Sequence, residues 1–225
     1  MNIGLLGGTF NPIHKGHLII AEYVRSQFKL ERIYFIPSAI PPHKSKPPVE
    51  AHHRLSMIKL AIQSNSHFYC SSLEIERGGK SYSIDTVRSF KEKFGGRENL
   101  FFLIGLDAFR EISTWKNYTQ LFNLCKFIVI NRPSYNPLDQ SEHNLSMILS
   151  EKDKDLKLQI INSNPNEAPH QVCPQDNIDL FFVSIPPIGI SSTKIRKMVA
   201  SNLSIRYQVT DQVDRYIRKN NLYRN

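Results

Sequence analysis

Cysteine and tryptophan are scarce in this sequence of 225 residues, and long apolar runs are missing from it. Cys70, Cys125 and Cys173 are widely spaced and form no CxxC pair, so we predict neither a disulfide framework nor a zinc site. No stretch approaches the roughly 20 apolar residues that a membrane-spanning helix needs. The N-terminus enters Gly7-Gly8 without the basic region and apolar run of a signal peptide. We therefore expect a soluble, cytoplasmic protein with no membrane partner.

Acidic residues are fewer than basic ones, and the difference gives a formal net charge of +9. A field of this sign attracts anions, among which nucleotides, nucleic acids and anionic lipids all qualify. A solvated basic surface without a ligand explains the same composition about equally well. The hydrophobic fraction of 40% and the charged fraction of 22% are ordinary for a globular protein. Composition therefore argues against a disordered or fibrous chain and leaves the ligand open.

Short apolar runs alternate with helical patterns along the chain. The predicted strands are 3–6, 33–36, 68–75, 100–104, 127–130 and 180–184. The predicted helices are 17–28, 50–63, 83–94, 192–200 and 211–220, with Leu55, Ile58, Leu60 and Ile62 as buried positions of the second. This alternation predicts βαβ units and a doubly wound, mainly parallel α/β sheet. Chain length favours a single domain over residues 1–225.

One segment breaks the alternation. From Ser134 to about Asp179 the chain is polar, rich in Asn, Asp, Ser, Gln and Pro, with one apolar cluster at 156–161. A structureless stretch of this length is unusual inside a compact domain. We therefore interpret residues 134–179 as a surface insertion.

The loop after the first predicted strand is the first candidate site, because ligands of open α/β sheets bind at the carboxyl ends of the strands. From Gly7 to His17 it reads GGTFNPIHKGH. Its glycines let backbone N–H groups approach a phosphate, and the following helix presents its positive dipole end to the same region. The loop lacks both the Walker pattern and the G-x-G-x-x-G pattern. It therefore predicts an anion site of another kind.

His14 and His17 lie three residues apart around a glycine, so a helix that begins there lets both imidazoles face one ligand. Metal binding is the weaker hypothesis, because no third Cys, Asp or Glu ligand is spaced nearby. Surface or capping roles are the commoner outcome for isolated histidines. Their place in a glycine-rich loop favours contact with a phosphate.

Further candidates lie at the starts of predicted helices. Ser191 to Arg196 reads SSTKIR after a strand and a Pro-Pro breaker, which gathers hydroxyl and N–H groups, although a simple helix cap is the commoner role. Asp107, two residues beyond Gly105, suits a ribose hydroxyl or a helix cap equally well. Trp115 taken alone is a core residue, and Lys44 in a proline-stiffened loop is either a cleft-spanning or a solvated cation.

These motifs occur in one order along the chain. They are Gly7–His17, Pro41-Pro42-His43-Lys44, Ser81-Tyr82-Ser83 with Thr86, Gly105-x-Asp107 with Trp115, Arg132-Pro133, and Ile190–Arg196. The sequence resembles the nucleotidyltransferases with a His-x-Gly-His signature, and within them the bacterial nicotinate-mononucleotide adenylyltransferases. The resemblance spans nearly the whole chain except residues 134–179. An ordered string of motifs is far more specific than any one of them.

The resemblance implies a Rossmann-like nucleotidyltransferase fold, ATP as the AMP donor, nicotinate mononucleotide as the acceptor, and Mg²⁺ as the companion of the ATP phosphates. We expect the ion to arrive with ATP rather than on protein ligands, because no carboxylate cluster appears in the phosphate motifs. It implies that His14 and His17 are catalytic. The implied ATP-binding residues are Gly8, Thr9, Phe10, Gly105, Asp107, Ser192, Thr193 and Arg196. The implied acceptor-binding residues are Lys44, Tyr82, Ser83, Thr86, Trp115 and Arg132.

Two positions depart from the family pattern. Asn11 stands where many members have Asp, so a carboxylate's role is not carried over, and Lys116 stands where Tyr is frequent. Nicotinamide mononucleotide and phosphopantetheine are alternative acceptors. An RNA-binding module is the alternative of another class, but no RNP-like aromatic pattern supports it, and we expect no nucleic-acid partner. The sequence leaves open whether the chain forms a homo-oligomer.

Overall fold

The structure is a computed structural model that describes residues 1–41, 49–131, 157–161, 171–172, 178–185 and 188–224. Its strands in these ranges are β1 (Asn2–Gly8), β2 (Arg32–Pro37), β3 (Phe68–Cys70), β4 (Asn99–Gly105), β5 (Lys126–Asn131), β6 (Leu158–Ile161) and β7 (Leu180–Ser184). They form one sheet of order β3-β2-β1-β4-β5-β7-β6. The pairs β2–β3, β4–β5, β5–β7 and β6–β7 are parallel. The predicted parallel α/β sheet is therefore confirmed.

Helices alternate with these strands. They are α1 (Lys15–Gln27), α2 (Ala51–Ile62), α3 (Leu73–Arg77), α4 (Ser83–Lys93), α5 (Leu106–Arg110), α6 (Tyr118–Leu124), α7 (Ser192–Ala200) and α8 (Asp211–Lys219). In strand order the chain runs from β1 to β3 on one side of β1 and then returns to β4 on the other, which is the reversal typical of a doubly wound sheet. Within the part of the chain that the structure describes, no helix has the length and apolar character to cross a bilayer.

The chain divides into two compact units. The first comprises Met1–Leu5, Ser26–Glu31 and Ser83–Ile188. Its core is aromatic, with Phe28 edge-on to Phe181 at 5.2 Å between ring centroids and Phe101 at 6.3 Å from each. Such buried rings contribute strongly to stability through the area that they remove from water. This unit carries β4, β5 and β7, which supply most of its buried strand residues.

The second unit comprises Leu6–Arg25, Arg32–Tyr82 and Gly189–Asn225. Phe35, Met57, Ile195 and Val213 are fully buried in its core. The α2 helix packs against α8, where the Nδ1 atom of His53 lies 3.0 Å from the Tyr216 hydroxyl. This unit holds the glycine-rich loop, most of α1, and α7. The hypothesis of a single domain over 1–225 stays a prediction.

One predicted strand is wrong in its second half. Pairing with β2 stops at Cys70, and Leu73–Arg77 form α3 instead of continuing the strand predicted over 68–75. The Gly78 N–H donates to the Glu74 and Ile75 carbonyl groups, which closes the helical turn. The helices α5 and α6 were not predicted, because elements of five and seven residues are too short to show a period.

Most of the predicted insertion lies outside the described residues. Within it, Leu158–Ile161 form β6 at the edge of the sheet, in parallel register with β7. Residues 158–161 of the apolar cluster are therefore a strand of the sheet, with Ile160 exposed. The insertion hypothesis for the rest of 134–179 stays a prediction.

Candidate functional site

The carbonyl groups of the loop after β1 are held by specific partners. The Gly8 carbonyl accepts the Ser38 N–H at 3.0 Å, and the Thr9 carbonyl accepts Nη1 of Arg54 at 2.8 Å. In a planar trans peptide, the C=O and the N–H of the next residue point in opposite directions. The N–H groups of Thr9 and Phe10 therefore point away from these partners. This loop is preorganised to present N–H donors, as an anion site requires.

The next part of the loop is bound by the SSTKIR motif. The Pro12 carbonyl accepts the Ser192 hydroxyl at 2.9 Å, across 180 residues of sequence. The Asn11 carbonyl accepts Nη1 of Arg196 at 2.7 Å, and Nη2 of the same side chain donates to the Thr193 hydroxyl at 3.2 Å. The structure thus brings together the two motifs that the sequence singled out.

Helix capping explains part of the SSTKIR motif. The Ser191 side chain accepts the Lys194 N–H at 3.2 Å and is the N-cap of α7. Ser192 and Arg196 have the different role of holding the first loop. The capping interpretation is therefore right for Ser191 and does not account for the rest of the motif.

The conformation of the loop centres on Phe10. Its φ of 47° lies in the left-handed region, which is unusual for a bulky residue, and its side chain is buried. The ring packs edge-on against His17 at 5.0 Å and near Phe35 at 5.9 Å. A Cβ added to Gly8 would lie 3.2 Å from the Phe10 ring. The small residue at position 8 is thus explained by close packing rather than by a positive φ.

The rings of His14 and His17 stack, with centroids 3.7 Å apart and an angle of 27° between planes. The backbone N–H of His14 donates to Nδ1 of His17 at 3.2 Å. Because Nδ1 accepts this bond, the His17 ring carries its proton on Nε2. In the neutral ring the N–H group therefore lies on the edge opposite the contact with the His14 backbone. His14 is 4% exposed, whereas His17 is half-buried.

The start of α1 is tied to the C-terminal part of the second unit. The Lys15 N–H donates to the Gln208 carbonyl at 2.8 Å, and the Lys15 ammonium lies over the Tyr207 ring at 5.5 Å. These contacts fix the position of the helix end that carries His17. The positive end of the α1 dipole then adds to the attraction of an anion at the loop.

Asn11 is buried, and its amide oxygen accepts the Tyr223 hydroxyl at 2.6 Å. Burial raises the pKa of Tyr223, while Arg196 and Arg54 act against this rise. Tyr223 therefore stays protonated and remains a donor at neutral pH. Because position 11 is Asn rather than Asp, the acceptor of the Tyr223 hydroxyl is neutral. The charged group of this network is the guanidinium of Arg196, which donates to the Asn11 carbonyl.

Sequence reasoning missed Arg54 and Tyr223. Arg54 is 1% exposed on α2, on the same face as the buried Met57, Ile58 and Ala61. The sequence signal for a buried Arg54 was its helical spacing from the apolar residues Met57, Ile58 and Ala61. Leu55 and Leu60, predicted to be buried, are only half-buried because the buried face is turned toward Arg54. Tyr223 had no comparable signal.

The remaining site candidates that the structure describes belong to the first unit, except Tyr82, which belongs to the second. Gly105 is the N-cap of α5, and Asp107 is exposed in its first turn, so Asp107 is not the cap that the alternative reading proposed. Trp115 is half-buried with its ring edge-on to Phe102 at 6.0 Å, so it is not a fully buried core residue. Lys44 and Arg132 lie outside the described residues.

The start of α4 holds the other acceptor-side candidates. Ser83 is the first residue of α4 and is half-buried, as is Tyr82 before it, and Thr86 is 1% exposed. The ammonium of Lys116 lies 3.1 Å from the Asp85 carboxylate in the first turn of the helix. Lys116 thus has a defined partner where the family often has Tyr.

The cysteines that the structure describes are free and weakly reactive. Burial raises the pKa of the Cys70 thiol to about 11 and that of the Cys125 thiol to about 12. Thiols in this state carry little thiolate at neutral pH, so they are poor nucleophiles. Cys173 lies outside the described residues.

Comparison with known proteins decides the family. Residues 5–198 match the family model described as cytidylyltransferase-like. A protein of Geobacter sp. (strain M21), named "Probable nicotinate-nucleotide adenylyltransferase", is 41% identical over 224 residues, which cover 99% of this chain and 98% of the relative. This chain belongs to the nicotinate-nucleotide adenylyltransferase family. A relative with the same name from Thermoanaerobacter sp. (strain X514) is 38% identical, over 100% of this chain and 95% of its own length.

Solved structures confirm the fold of the nicotinate-nucleotide adenylyltransferase family for this chain. The Plasmodium falciparum nicotinic acid mononucleotide adenylyltransferase complexed with NaAD matches with a TM-score of 0.69 and 22% identity, over 99% of this chain and 97% of the other. The same enzyme complexed with APC gives a TM-score of 0.68 at 21% identity, over 99% and 96% of the two chains. The Rossmann-like nucleotidyltransferase fold predicted from sequence is thus confirmed.

Proposed function

We propose that this chain transfers AMP from ATP to nicotinate mononucleotide and thereby makes nicotinate adenine dinucleotide and pyrophosphate in NAD biosynthesis. The observation that carries the proposal is the joining of the glycine-rich loop to the SSTKIR motif through Ser192 and Arg196. The names of the full-length relatives support the same reaction. We further propose that this reaction takes place in the cytoplasm.

The chemistry needs no nucleophile from the protein. A phosphate oxygen of the mononucleotide attacks the α-phosphorus of ATP in line, a new P–O bond forms, and the bond to the bridging oxygen of pyrophosphate breaks. The protein holds two polyanions together and stabilises the charge that develops in the transition state. Side chains and N–H groups that donate hydrogen bonds suit this work.

Each group of the second unit then has a role. The Nε2–H of His17 donates to the transferring phosphate, with His14 stacked beside it on the ATP phosphates. The N–H groups of Thr9 and Phe10, set by the carbonyl contacts of the loop, bind the same polyanion. Arg196, Ser192 and Thr193 lie beside the loop. By family resemblance we assign the Arg196 side chain and the two hydroxyl groups to the β- and γ-phosphates of ATP.

We infer that Mg²⁺ arrives with ATP, where it neutralises part of the phosphate charge. The donors around the loop are imidazole, guanidinium, hydroxyl and N–H groups, which suit phosphate oxygens better than a hard cation. In the described ranges, no group of three or more His, Cys, Asp and Glu side chains could hold a metal ion. The protein's own part is therefore to bind the phosphates that carry the ion.

The acceptor is assigned to the start of α4 and to Trp115. A helix start offers N–H donors and a positive dipole end, which favour the ring carboxylate of nicotinate over the neutral amide of nicotinamide. Asp85 in the first turn would oppose this preference, but Lys116 compensates its charge at 3.1 Å. Gly105 and Asp107 are assigned to adenosine, and Lys44, Tyr82 and Arg132 to the acceptor, by family resemblance.

Steady-state kinetics with MgATP test the proposal. We expect nicotinate mononucleotide to exceed nicotinamide mononucleotide in kcat/KM by at least roughly 10-fold, because a mismatched buried polar group costs about 1 to 3 kcal/mol. Both dinucleotide and pyrophosphate are measured, and phosphopantetheine serves as a third acceptor. Equal kcat/KM for the two mononucleotides would contradict the acceptor assignment. No pyrophosphate with any acceptor would contradict the enzyme itself and favour a nucleic-acid-binding module.

A further inference from the structure

Arg54 is a charged side chain deep in the second unit. It is 1% exposed, and burial lowers its pKa while the Tyr223 hydroxyl acts in the opposite direction. A guanidinium remains protonated even so. A buried charge is costly unless every donor finds an acceptor. The acceptors of the Arg54 hydrogen bonds therefore show which segments this side chain holds in place.

All hydrogen bonds of Arg54 within the described ranges end on backbone carbonyl oxygens. Nη1 donates to Thr9 at 2.8 Å, and Nη2 donates to Ser38 at 2.7 Å and to Ala39 at 3.3 Å. Nε donates to Val49 at 3.3 Å. The planar fork thus holds the loop after β1 and the turn after β2 at once, which a single-point donor such as lysine cannot reproduce.

The hydrogen bond from Arg54 to the Thr9 carbonyl sets the orientation of the Thr9–Phe10 peptide. The Thr9 carbonyl and the Phe10 N–H belong to one planar unit, so fixing the carbonyl toward Arg54 fixes the N–H in the opposite direction. Phe10 follows with a φ of 47°, a conformation that persists only where its surroundings hold it. The neighbouring Gly8 carbonyl is held in turn by the Ser38 N–H, on the same turn that Arg54 grips.

We propose that Arg54 is a positioning residue for adenylyl transfer, which turns the Thr9–Phe10 peptide so that its N–H faces the ATP phosphates. The proposal rests on the proposed function and adds a residue that touches neither substrate. Arg54 acts through the backbone of the loop. Without the Arg54 guanidinium the Thr9–Phe10 peptide is free to rotate. The Phe10 N–H is then no longer oriented toward the phosphates when negative charge develops in the transition state.

The test compares Arg54→Gln and Arg54→Lys with a matched control, Met57→Ala. Met57 is equally buried on the same helix, but its side chain carries no N–H or O–H donor, so this control removes packing without removing a donor. Circular dichroism establishes a temperature at which all variants are folded. Kinetics are then measured for ATP and the mononucleotide, and the Phe10 amide signal is followed by ¹H–¹⁵N NMR while MgATP is added.

We expect kcat to fall by about 10²-fold in Arg54→Gln, the typical cost of one preorganised donor, and by about 10-fold in Arg54→Lys. Met57→Ala should lose thermal stability and keep kcat within about 3-fold, since it leaves the loop hydrogen bonds in place. The Phe10 amide should shift with MgATP in the wild type and the control and not in Arg54→Gln. If Arg54→Gln does not fold, Arg54→Lys carries the comparison.

Two results would overturn the proposal. One is a loss of kcat in the Arg54 variants no larger than that of Met57→Ala. The other is a Phe10 amide that responds to MgATP equally in the wild type and the Arg54 variants. If the wild type itself makes no dinucleotide, the proposed function fails, while the amide response still decides whether Arg54 sets the peptide.

Discussion

Removing one hydroxyl group tests the network around Asn11. Tyr223→Phe deletes the donor that lies 2.6 Å from the Asn11 amide oxygen and leaves the ring in place. Asn11 is 5% exposed, so water does not readily replace the lost partner. The change therefore isolates one buried hydrogen bond next to the loop that carries Thr9 and Phe10.

The magnitude follows from the burial of the acceptor. A buried acceptor left without its donor costs about 1 to 3 kcal/mol. For a chain of this size each kcal/mol corresponds to roughly 2 to 4 °C in Tm, so Tyr223→Phe should melt about 2 to 12 °C lower. The matched variant Asn11→Asp keeps an acceptor for Tyr223 beside the positive charge of Arg196, so it should melt closer to the wild type.

The pH dependence gives a second, independent signature. Burial raises the pKa of Tyr223 above its ordinary value of 10.0, so the folded state holds this proton more tightly than the unfolded state. The resulting stabilisation is complete below about pH 10 and is lost as the pH rises further. Tyr223→Phe has no such proton. The difference in Tm between wild type and variant should therefore shrink above about pH 10.

Differential scanning calorimetry from pH 7 to pH 11 measures both effects on one pair of proteins. The buried thiols titrate in the same range, but they are common to both proteins and cancel in the difference. A Tm for Tyr223→Phe equal to the wild type at neutral pH, with parallel curves at alkaline pH, would refute the reasoning.

Two further predictions concern direct contacts with ATP. His17→Ala should lower kcat by about 10²-fold with little loss of Tm. The amide of His17→Gln reaches the position of Nε2, whereas the amide of His17→Asn replaces Nδ1. We therefore expect His17→Gln to retain more activity than His17→Asn. Near-normal turnover of a folded His17→Ala would remove His17 from the reaction. Arg196→Ala should raise KM for ATP, because it binds phosphates that are present in the ground state, and should also lower Tm through the lost bond to the Asn11 carbonyl. An unchanged ATP saturation curve would exclude Arg196 from the site.

Much of the sheet was predictable, since its inner strands are buried on both faces and appear as continuous apolar runs. The strand predicted at 180–184 and the helix predicted at 192–200 have the same bounds in the structure. Short elements such as α3 and α5 were not predictable, because one turn of helix has no period and depends on its tertiary surroundings.

The candidate site was predictable as separate motifs but not as an assembly. No local sequence pattern predicts that Ser192 donates to the Pro12 carbonyl, because only the fold brings these two residues together. Arg54 was missed because a basic residue in a helix is expected at the surface, and its burial depends on carbonyl acceptors from other elements. Likewise, the left-handed residue of the loop is Phe10, although glycine is the usual occupant of that conformation.

The distance along the chain between the loop and its supports has a consequence for synthesis on the ribosome. Asn11 and Pro12 leave the ribosome long before their partners, which lie 180 to 212 residues further along the chain at positions 192, 196 and 223. Until those residues leave the exit tunnel, a nascent chain has the histidines and glycines of the loop without the contacts that shape it. A growing chain should therefore remain unable to bind ATP until residue 223 has left the exit tunnel, however early its first strand forms.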